Sequence, residues 1–448
     1  MGLQCAVAQG IGALSTWGLK RVFKRPAGNF PGKVALYVDP HLIADLSHKL
    51  RRGSVIVCGT NGKTTTTNLL ADALETANMQ VICNRSGANL DSGIATALLH
   101  GQEADWGVFE SDELWLAKVL PQLKSDYLIL LNLFRDQLDR VGEIDRIQDS
   151  IVGSLKSSPQ TVLVYNADDP LCEAIAQRAG NKTIAFGVGE DMGLPQNTVA
   201  DAQMCQMCSG MLNYEFRQYG QLGRYACSQC GFSRPKLDYA ARSVRFGSAG
   251  LSFDATTDEQ TSVSLHAPVN GAYMVYNLLA TFVAANLLGC PAEAFQRALD
   301  AFDPQNGRLE NMQVEGRPIL LNLAKNPTGF NQNLKIITQD SGPRVVAFFV
   351  NDKEGDGRDV SWIWDVDFEE LAGADQLVVF AGGIRKNDLQ VRLKYAGISA
   401  ELIDGGADIL AKTADLGPEY NYYMIANYTA LPVVRNELVR ITATEGGN

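Results

Sequence analysis

Apolar positions along the chain follow two rhythms. The short apolar runs Ser54–Cys58, Trp106–Glu110, Tyr127–Leu133 and Thr161–Tyr165 predict buried strands. Stretches of helical period lie between most of them, as with Leu69, Leu70, Ala73 and Leu74. Such alternation predicts an α/β fold, a parallel sheet covered by helices on both faces. The pattern then changes. Arg242–Phe246, Leu251–Asp254 and Ser262–Ala267 read as short antiparallel strands. A long helix is expected from about Tyr273 to Leu288 and a second over 292–302. Asp303-Pro-Gln-Asn-Gly307 breaks the chain and sets a domain boundary near 310–315. Beyond it the α/β alternation restarts, with Ile319–Leu323, Arg344–Val350, Gln376–Phe380 and Tyr422–Ile425 as strands. The expected organisation is a helical or extended segment over 1–50, a central domain over 51–312 with an insertion at 201–235, and a C-terminal α/β domain over 313–448.

Composition narrows the function. The 448 residues are 46% apolar and 20% charged, which excludes a largely disordered chain. A net charge of -11 argues against broad binding to nucleic acid, whose affinity comes mostly from cations. No continuous apolar stretch is long enough to predict a membrane-spanning helix. The mildly apolar start is interrupted by Gln4, Gln9, Ser15 and Thr16. Its basic residues, Lys20, Arg21, Lys24 and Arg25, follow the apolar stretch instead of preceding it, the wrong order for a signal peptide. The expectation is a cytoplasmic protein, with a basic amphipathic start compatible with a peripheral position at the inner membrane face.

Nine cysteines spread over a long chain do not suggest a disulfide framework. Four form a compact pattern, Cys205-Gln-Met-Cys208 and, after eighteen residues, Cys227-Ser-Gln-Cys230. Each pair can supply two thiolates from one tight turn, which suits a closed, structural Zn²⁺ site in a ribbon insertion. A redox role for one pair is the alternative.

The run Ser54–Cys58 leads into Gly59-Thr60-Asn61-Gly62-Lys63-Thr64-Thr65 and then a helical pattern. Strand, glycine loop and helix together resemble a P-loop. Backbone N–H groups would cradle phosphates, Lys63 would neutralise them, and the Thr64 hydroxyl would bind Mg²⁺. The strict pattern asks for glycine where Val57 stands, so the loop is a variant. Glu110 ends the next apolar strand, where ligands gather in an open parallel sheet, and is a second candidate for Mg²⁺. The alternative is that Glu110 to Glu113 is an acidic helix start.

These residues together resemble the Mur ligase superfamily. The shortened loop Gly59–Thr64, the strand-end Glu110, the series Asn132, Asp136 and Asp139, the glycine-led helix with Gly271 and Asn277, and the turn Gly307-Arg308-Leu-Glu310 match its motifs in order. In that family Asn277 would contact adenine and Arg308 the phosphates. Several departures point to one branch. Tyr273-Met274 stands where His-Asn is usual, and the third-domain opening reads Asn322-Leu-Ala-Lys325-Asn326-Pro327. A ribbon interrupts the middle domain, and the chain before residue 50 is too short for a nucleotide-sugar-binding domain. A later segment reads Asp356-Gly-Arg358-Asp359-Val-Ser-Trp362-Ile-Trp364. With these features the resemblance extends to the MurT branch, the ligase-like subunits of lipid II isoglutaminyl synthase.

The resemblance implies ATP binding and amidation of the D-glutamate α-carboxyl in the lipid II stem peptide. It also implies a heterodimer with a glutaminase of the GatD type, and it places a carboxylate donated to that glutaminase at Asp356 or Asp359. The alternative reading of this acidic segment is a solvated loop before a Trp-anchored helix. An ordinary Mur-type or folylpolyglutamate-type amino-acid ligase is the competing enzyme. A zinc-ribbon nucleic-acid module is disfavoured, since 201–235 carries only Arg217, Arg224 and Arg234.

Overall fold

The computed structural model describes residues 2–22, 28–135, 144–194, 202–247, 249–257, 261–303 and 307–445. Asp136 and Asp139 lie outside them. Two compact units divide between Phe302 and Asp303.

Val55, Ile56, Val57 and Cys58 are wholly buried, which requires their strand to be covered on both faces. That strand, β1 (Leu50–Cys58), sits inside the nine-stranded sheet of the first unit. The others are β2 (Val81–Cys83), β3 (Ala104–Glu110), β4 (Tyr127–Leu130), β5 (Val162–Asn166) and β6 (Thr183–Val188), then, beyond the hairpin β7 (Leu212–Tyr219) and β8 (Leu222–Cys227), β9 (Tyr239–Gly247), β10 (Gly250–Thr257) and β11 (Ser262–Ala267). Their order is β11-β10-β9-β6-β5-β4-β1-β3-β2. Pairing is parallel from β2 through β9 and antiparallel in β9-β10-β11. The chain leaves β1 toward one side and returns to β4 on the other, so the loop after β1 opens at a switch point of the sheet.

The N-terminal segment is helical: α1 (Leu3–Trp17), α2 (Phe30–Val38) and α3 (Leu42–Leu46) precede β1. The helix α4 (Lys63–Thr76) follows the glycine loop, and α5 (Asp91–His100) packs on α2. A Cβ at Gly32 would lie 1.9 Å from Ser92 O, so α2 and α5 can cross this closely only at glycine.

The second unit holds β12 (Glu310–Val314), β13 (Arg317–Leu323), β14 (Arg344–Phe349), β15 (Leu377–Gly382), β16 (Ala400–Leu402) and β17 (Asn421–Ala426). Their order is β12-β13-β17-β14-β15-β16, all parallel except the β12-β13 hairpin. Glu315 and Gly316 turn that hairpin with φ of 50° and 73°, the left-handed pair a two-residue turn needs. One face of this sheet packs on Phe330, Phe368 and Leu389, the other on Leu410, Leu431 and Leu438.

Residues 310–314, read from sequence as a boundary, form a strand of this second sheet. Their composition is polar and only Val314 is fully buried, so no apolar run marks them. After Asp359, where the alternative reading had a Trp-anchored helix, the chain forms two short 3₁₀ turns, Ser361–Asp365 and Phe368–Leu371. Trp362 rests on Phe330 with ring centroids 5.1 Å apart, while half-exposed Trp364 meets Tyr395 and Arg392.

Candidate active site

The glycine loop is clamped from the end of β4. Asn132 O accepts from Thr60 N at 2.9 Å, Asn132 Oδ1 accepts from Asn61 N at 2.9 Å, and Asn132 Nδ2 donates to Asn61 O at 3.0 Å. Phe134 N donates to Thr60 Oγ1 at 3.0 Å. Gly59 has φ of 129°, and a Cβ there would lie 2.8 Å from Asn132 O. Gly62 has φ of 89° and caps α4; a Cβ there would lie 2.2 Å from Asn277 Oδ1. Both glycines are therefore needed for close packing, and Asn277 lies directly on the loop. Val57, the departure from the strict P-loop, pairs in register with Glu110, so strand continues where the longer loop would begin.

Lys63 opens α4 and is buried. Its Nζ donates to Gly59 O at 2.5 Å and pairs with Glu113 Oε1 at 3.1 Å. Burial disfavours its ammonium form, but the Glu113 and Glu110 carboxylates outweigh burial and raise its pKa. Thr64 Oγ1 donates to Glu110 Oε2 at 2.6 Å, and Asn89 Nδ2 donates to Oε1 at 3.2 Å. Asn84 holds the Glu110 backbone, with Oδ1 accepting from its N–H at 2.8 Å and Nδ2 donating to its carbonyl at 2.9 Å. A hard-cation donor set, hydroxyl plus carboxylate, thus stands at the start of α4 and fits Mg²⁺. Thr65 is half-buried on the same first turn.

The four cysteines converge. Cys205 and Cys230 sulfurs are 3.5 Å apart, as are those of Cys208 and Cys227, and all four lie within 4.8 Å of one another. Tetrahedral thiolates around zinc are spaced by about 3.8 Å, so the set fits Zn²⁺. The hairpin β7-β8 carries this cluster at one end and reaches the site with its turn. Gln221 is fully buried and its Nε2 donates to Leu133 O at 2.6 Å, next to the Asn132 clamp. Tyr219 stacks on Phe134 at 6.0 Å, and a Cβ at Gly220 would lie 2.8 Å from the Phe134 ring.

A second anchor leaves the ribbon at Arg234. Its Nη1 donates to Asp168 Oδ1 at 2.7 Å, both side chains being buried. Asp168 also accepts from Tyr276 Oη at 2.7 Å and Val188 N at 2.9 Å. Burial pushes its carboxyl pKa up against the pull of Arg234 and Tyr276. Arg234→Met is expected to cost about 3–5 kcal/mol, because it strands a buried charge. The urea midpoint would measure this, and Asp168→Asn added to Arg234→Met should recover most of it. Arg234 is thus removed from the thin basic surface expected of the ribbon.

In the second unit, Glu310 organises the Gly-Arg-x-Glu turn. It accepts from Gly307 N at 2.6 Å and is gripped by Arg435 at 2.8 Å; Arg308 in the same turn is half-buried. Asn326 caps the following helix by accepting from Gly329 N at 2.8 Å. The loop after β14 is pinned by Asn351, whose N–H donates to Asn427 Oδ1 at 3.0 Å and whose Oδ1 accepts from Ile384 N at 2.9 Å. Asp356 is buried and accepts from Thr429 N at 2.8 Å and from the Thr429 hydroxyl. Asp359 is exposed, accepting from Ser361 N at 2.8 Å and Ser361 Oγ at 2.9 Å, and these bonds lower its pKa.

A family model of the Mur ligase middle domain matches residues 57–222, and one of the MurT ligase C-terminal region matches 323–431. Subunit MurT of the glutamine-hydrolyzing lipid II isoglutaminyl synthase of Staphylococcus aureus (strain COL) is 32% identical over 424 residues, 94% of each chain. The chain belongs to the MurT ligase family. The corresponding subunit of Streptococcus pneumoniae (strain ATCC BAA-255 / R6) is 32% identical over 409 residues, 90% of each chain. Among solved structures, a pseudomurein peptide ligase type C from Methanothermus fervidus superposes with a TM-score of 0.69 at 20% identity, covering 89% of this chain and 80% of its own. MurF from Acinetobacter baumannii gives 0.66 at 16%, covering 91% and 80%. These two share the fold. The expected Mur ligase-type architecture, with its parallel sheet and second α/β domain, is therefore borne out, and this MurT-family chain is an ATP-dependent ligase subunit.

Several contributors to the site were missed from sequence, Asn89 on Glu110 among them. Asn84 and Glu113 act on Glu110 and Lys63 across the sheet, and Gln221 arrives from the ribbon. Glu113 alone carried a signal, as an acid near a strand end.

Proposed function

We propose that this chain activates the α-carboxyl of D-glutamate in the lipid II stem peptide and converts it to the amide of D-isoglutamine, in peptidoglycan synthesis. The observation that carries the reading is similarity to MurT subunits over 94% of each chain, through the C-terminal region as well as the nucleotide-binding core. A carboxylate repels nucleophiles and has no leaving group. Phosphorylation by ATP gives an acyl phosphate, and ammonia displaces phosphate from it to form the amide. In this reading Gly59–Thr65 cradle the phosphates, Lys63 neutralises their charge, Asn277 serves the nucleotide end, and Arg308 is the phosphate-contacting residue that its motif implies. Thr64 and Glu110 hold Mg²⁺, which when bound would offset phosphate charge. Cys205, Cys208, Cys227 and Cys230 hold a structural Zn²⁺.

Ammonia comes from a GatD-type glutaminase subunit, and the pair works in the cytoplasm on a substrate held at the membrane surface. The difference in exposure supports Asp359 over Asp356 for the donated carboxylate. Asp359 faces outward, as a carboxylate orienting another chain's histidine must. Asp356 is committed to Thr429 and positions the loop. Asp359→Asn is expected to lose glutamine-dependent amidation by roughly 10²-fold or more while keeping ammonium-dependent amidation. Asp356→Asn should lower both together.

The test is incubation with ATP, Mg²⁺ and lipid II in detergent micelles, with ammonium or glutamine, with and without the partner. Mass spectrometry reads exchange of OH for NH₂. Product from glutamine only with the partner supports the split amidotransferase. A peptide bond to an added amino acid, with no primary amide, would replace it with an amino-acid ligase.

A further inference from the structure

The first helix has two faces of opposite character. Cys5, Ala8 and Gly12 of α1 are buried against the body of the first unit; a Cβ at Gly12 would lie 2.8 Å from Leu99 Cδ1. The other face carries Leu3, Val7, Gly10, Leu14 and Trp17. At 3.6 residues per turn these fall within an arc of about 80°. Leu3 is 85% exposed, Leu14 68% and Trp17 58%. Val22 beyond them is exposed as well. An outward face on water is ordinarily polar, yet α1 contains no charged residue at all.

Charge arrives immediately afterwards and has one sign. Residues 1–38 contain Lys20, Arg21, Lys24, Arg25 and Lys33 and no acid, in a chain with 50 acids. A continuous apolar stripe that includes a tryptophan, followed by cations, is the make-up of a helix that lies flat on an anionic surface, with its apolar face among the acyl chains and cations at the level of the lipid phosphates. At 15 residues α1 is too short to cross a bilayer, and among the described residues no helix is long and apolar enough to do so.

We infer that the outer face of α1 lies in the plane of an anionic membrane surface, its apolar stripe inserted, with the positive charge of the sequence that follows drawing it to lipid phosphates. The charge decides for this occupant, since five cations without one acid complement anionic headgroups. The inference rests on the proposed function only for its use, which is to hold the ligase where a lipid-tailed substrate resides.

The test is co-sedimentation of the full chain with phosphatidylcholine vesicles, with and without phosphatidylglycerol. Binding is expected with phosphatidylglycerol and should fall with added salt. Leu14→Glu and Trp17→Glu should each weaken it by roughly an order of magnitude. Lys20→Glu with Arg21→Glu should remove the preference for phosphatidylglycerol. ATP binding by the variants reports that they fold, and amidation in micelles reports on the reaction independently of docking. Absence of binding to anionic vesicles, or unchanged binding by Leu14→Glu, would overturn the inference. So would a dimer in gel filtration that Leu14→Glu dissolves while vesicle binding is unaffected, since a second copy would then occupy the face.

Discussion

Lys63→Met is expected to reduce kcat/KM for ATP-dependent amidation by roughly 10³-fold or more, the scale on which cations serving a transferred phosphoryl group act. The same change should also destabilise the protein, for a reason separate from catalysis. Lys63 and Glu113 are a buried pair at 3.1 Å, each side chain only 8% exposed. Removing the ammonium leaves the carboxylate buried beside Glu110, at a cost of about 3–5 kcal/mol. Lys63→Met combined with Glu113→Gln removes both charges and should restore most of the lost stability without restoring activity. Chemical denaturation and steady-state rates, measured on the unaltered protein and both variants, separate the two effects. Near-normal rates in a folded Lys63→Met protein would show that this ammonium does not serve the phosphates.

The second large effect is expected from the ribbon. Cys227→Ser should abolish tight zinc retention, because it takes one of four thiolates from a closed site whose full binding is worth on the order of 10 kcal/mol, and should unfold the hairpin. Its turn is the other side of the phosphate loop's clamp: Gln221 on Leu133, Tyr219 and Gly220 on Phe134, and Phe134 on Thr60. ATP affinity should therefore fall along with metal content. Gln221→Leu is the finer probe. It leaves the Leu133 carbonyl buried without its donor, a penalty of about 1–3 kcal/mol. The ATP dissociation constant should rise by roughly an order of magnitude, while zinc measured by mass spectrometry stays stoichiometric. Unchanged ATP affinity in that variant would show that the hairpin turn fills space without supporting the loop.

Much of this arrangement is legible along the chain because its signals are local. Strand, glycines and helix follow one another within residues 50–76, and the four cysteines sit in two tight turns. Glu110 is marked by ending an apolar run. The clamp around these groups has no such signal. Glu113 meets Lys63 because β1 and β3 are neighbours in register, and register is a property of the folded sheet. Gln221 has no periodicity at all, being one polar residue in a hairpin turn. The short strands β2 and β16 have three residues each, too few to show a period. Between Asp356 and Asp359 the sequence offers two equivalent acids, and their difference in burial belongs to the folded chain.

The placement of β17 has a consequence for how the protein is made. This strand comes latest in sequence, yet it lies between β13 and β14 in its sheet. Until residues 421–426 leave the ribosome, β13 and β14 have no bridge, and their inner edges are open to wrong partners. The first unit, complete by residue 302, can fold during synthesis. The second must wait for nearly its whole length, so its nascent chain is the stage at which chaperones have the most to protect.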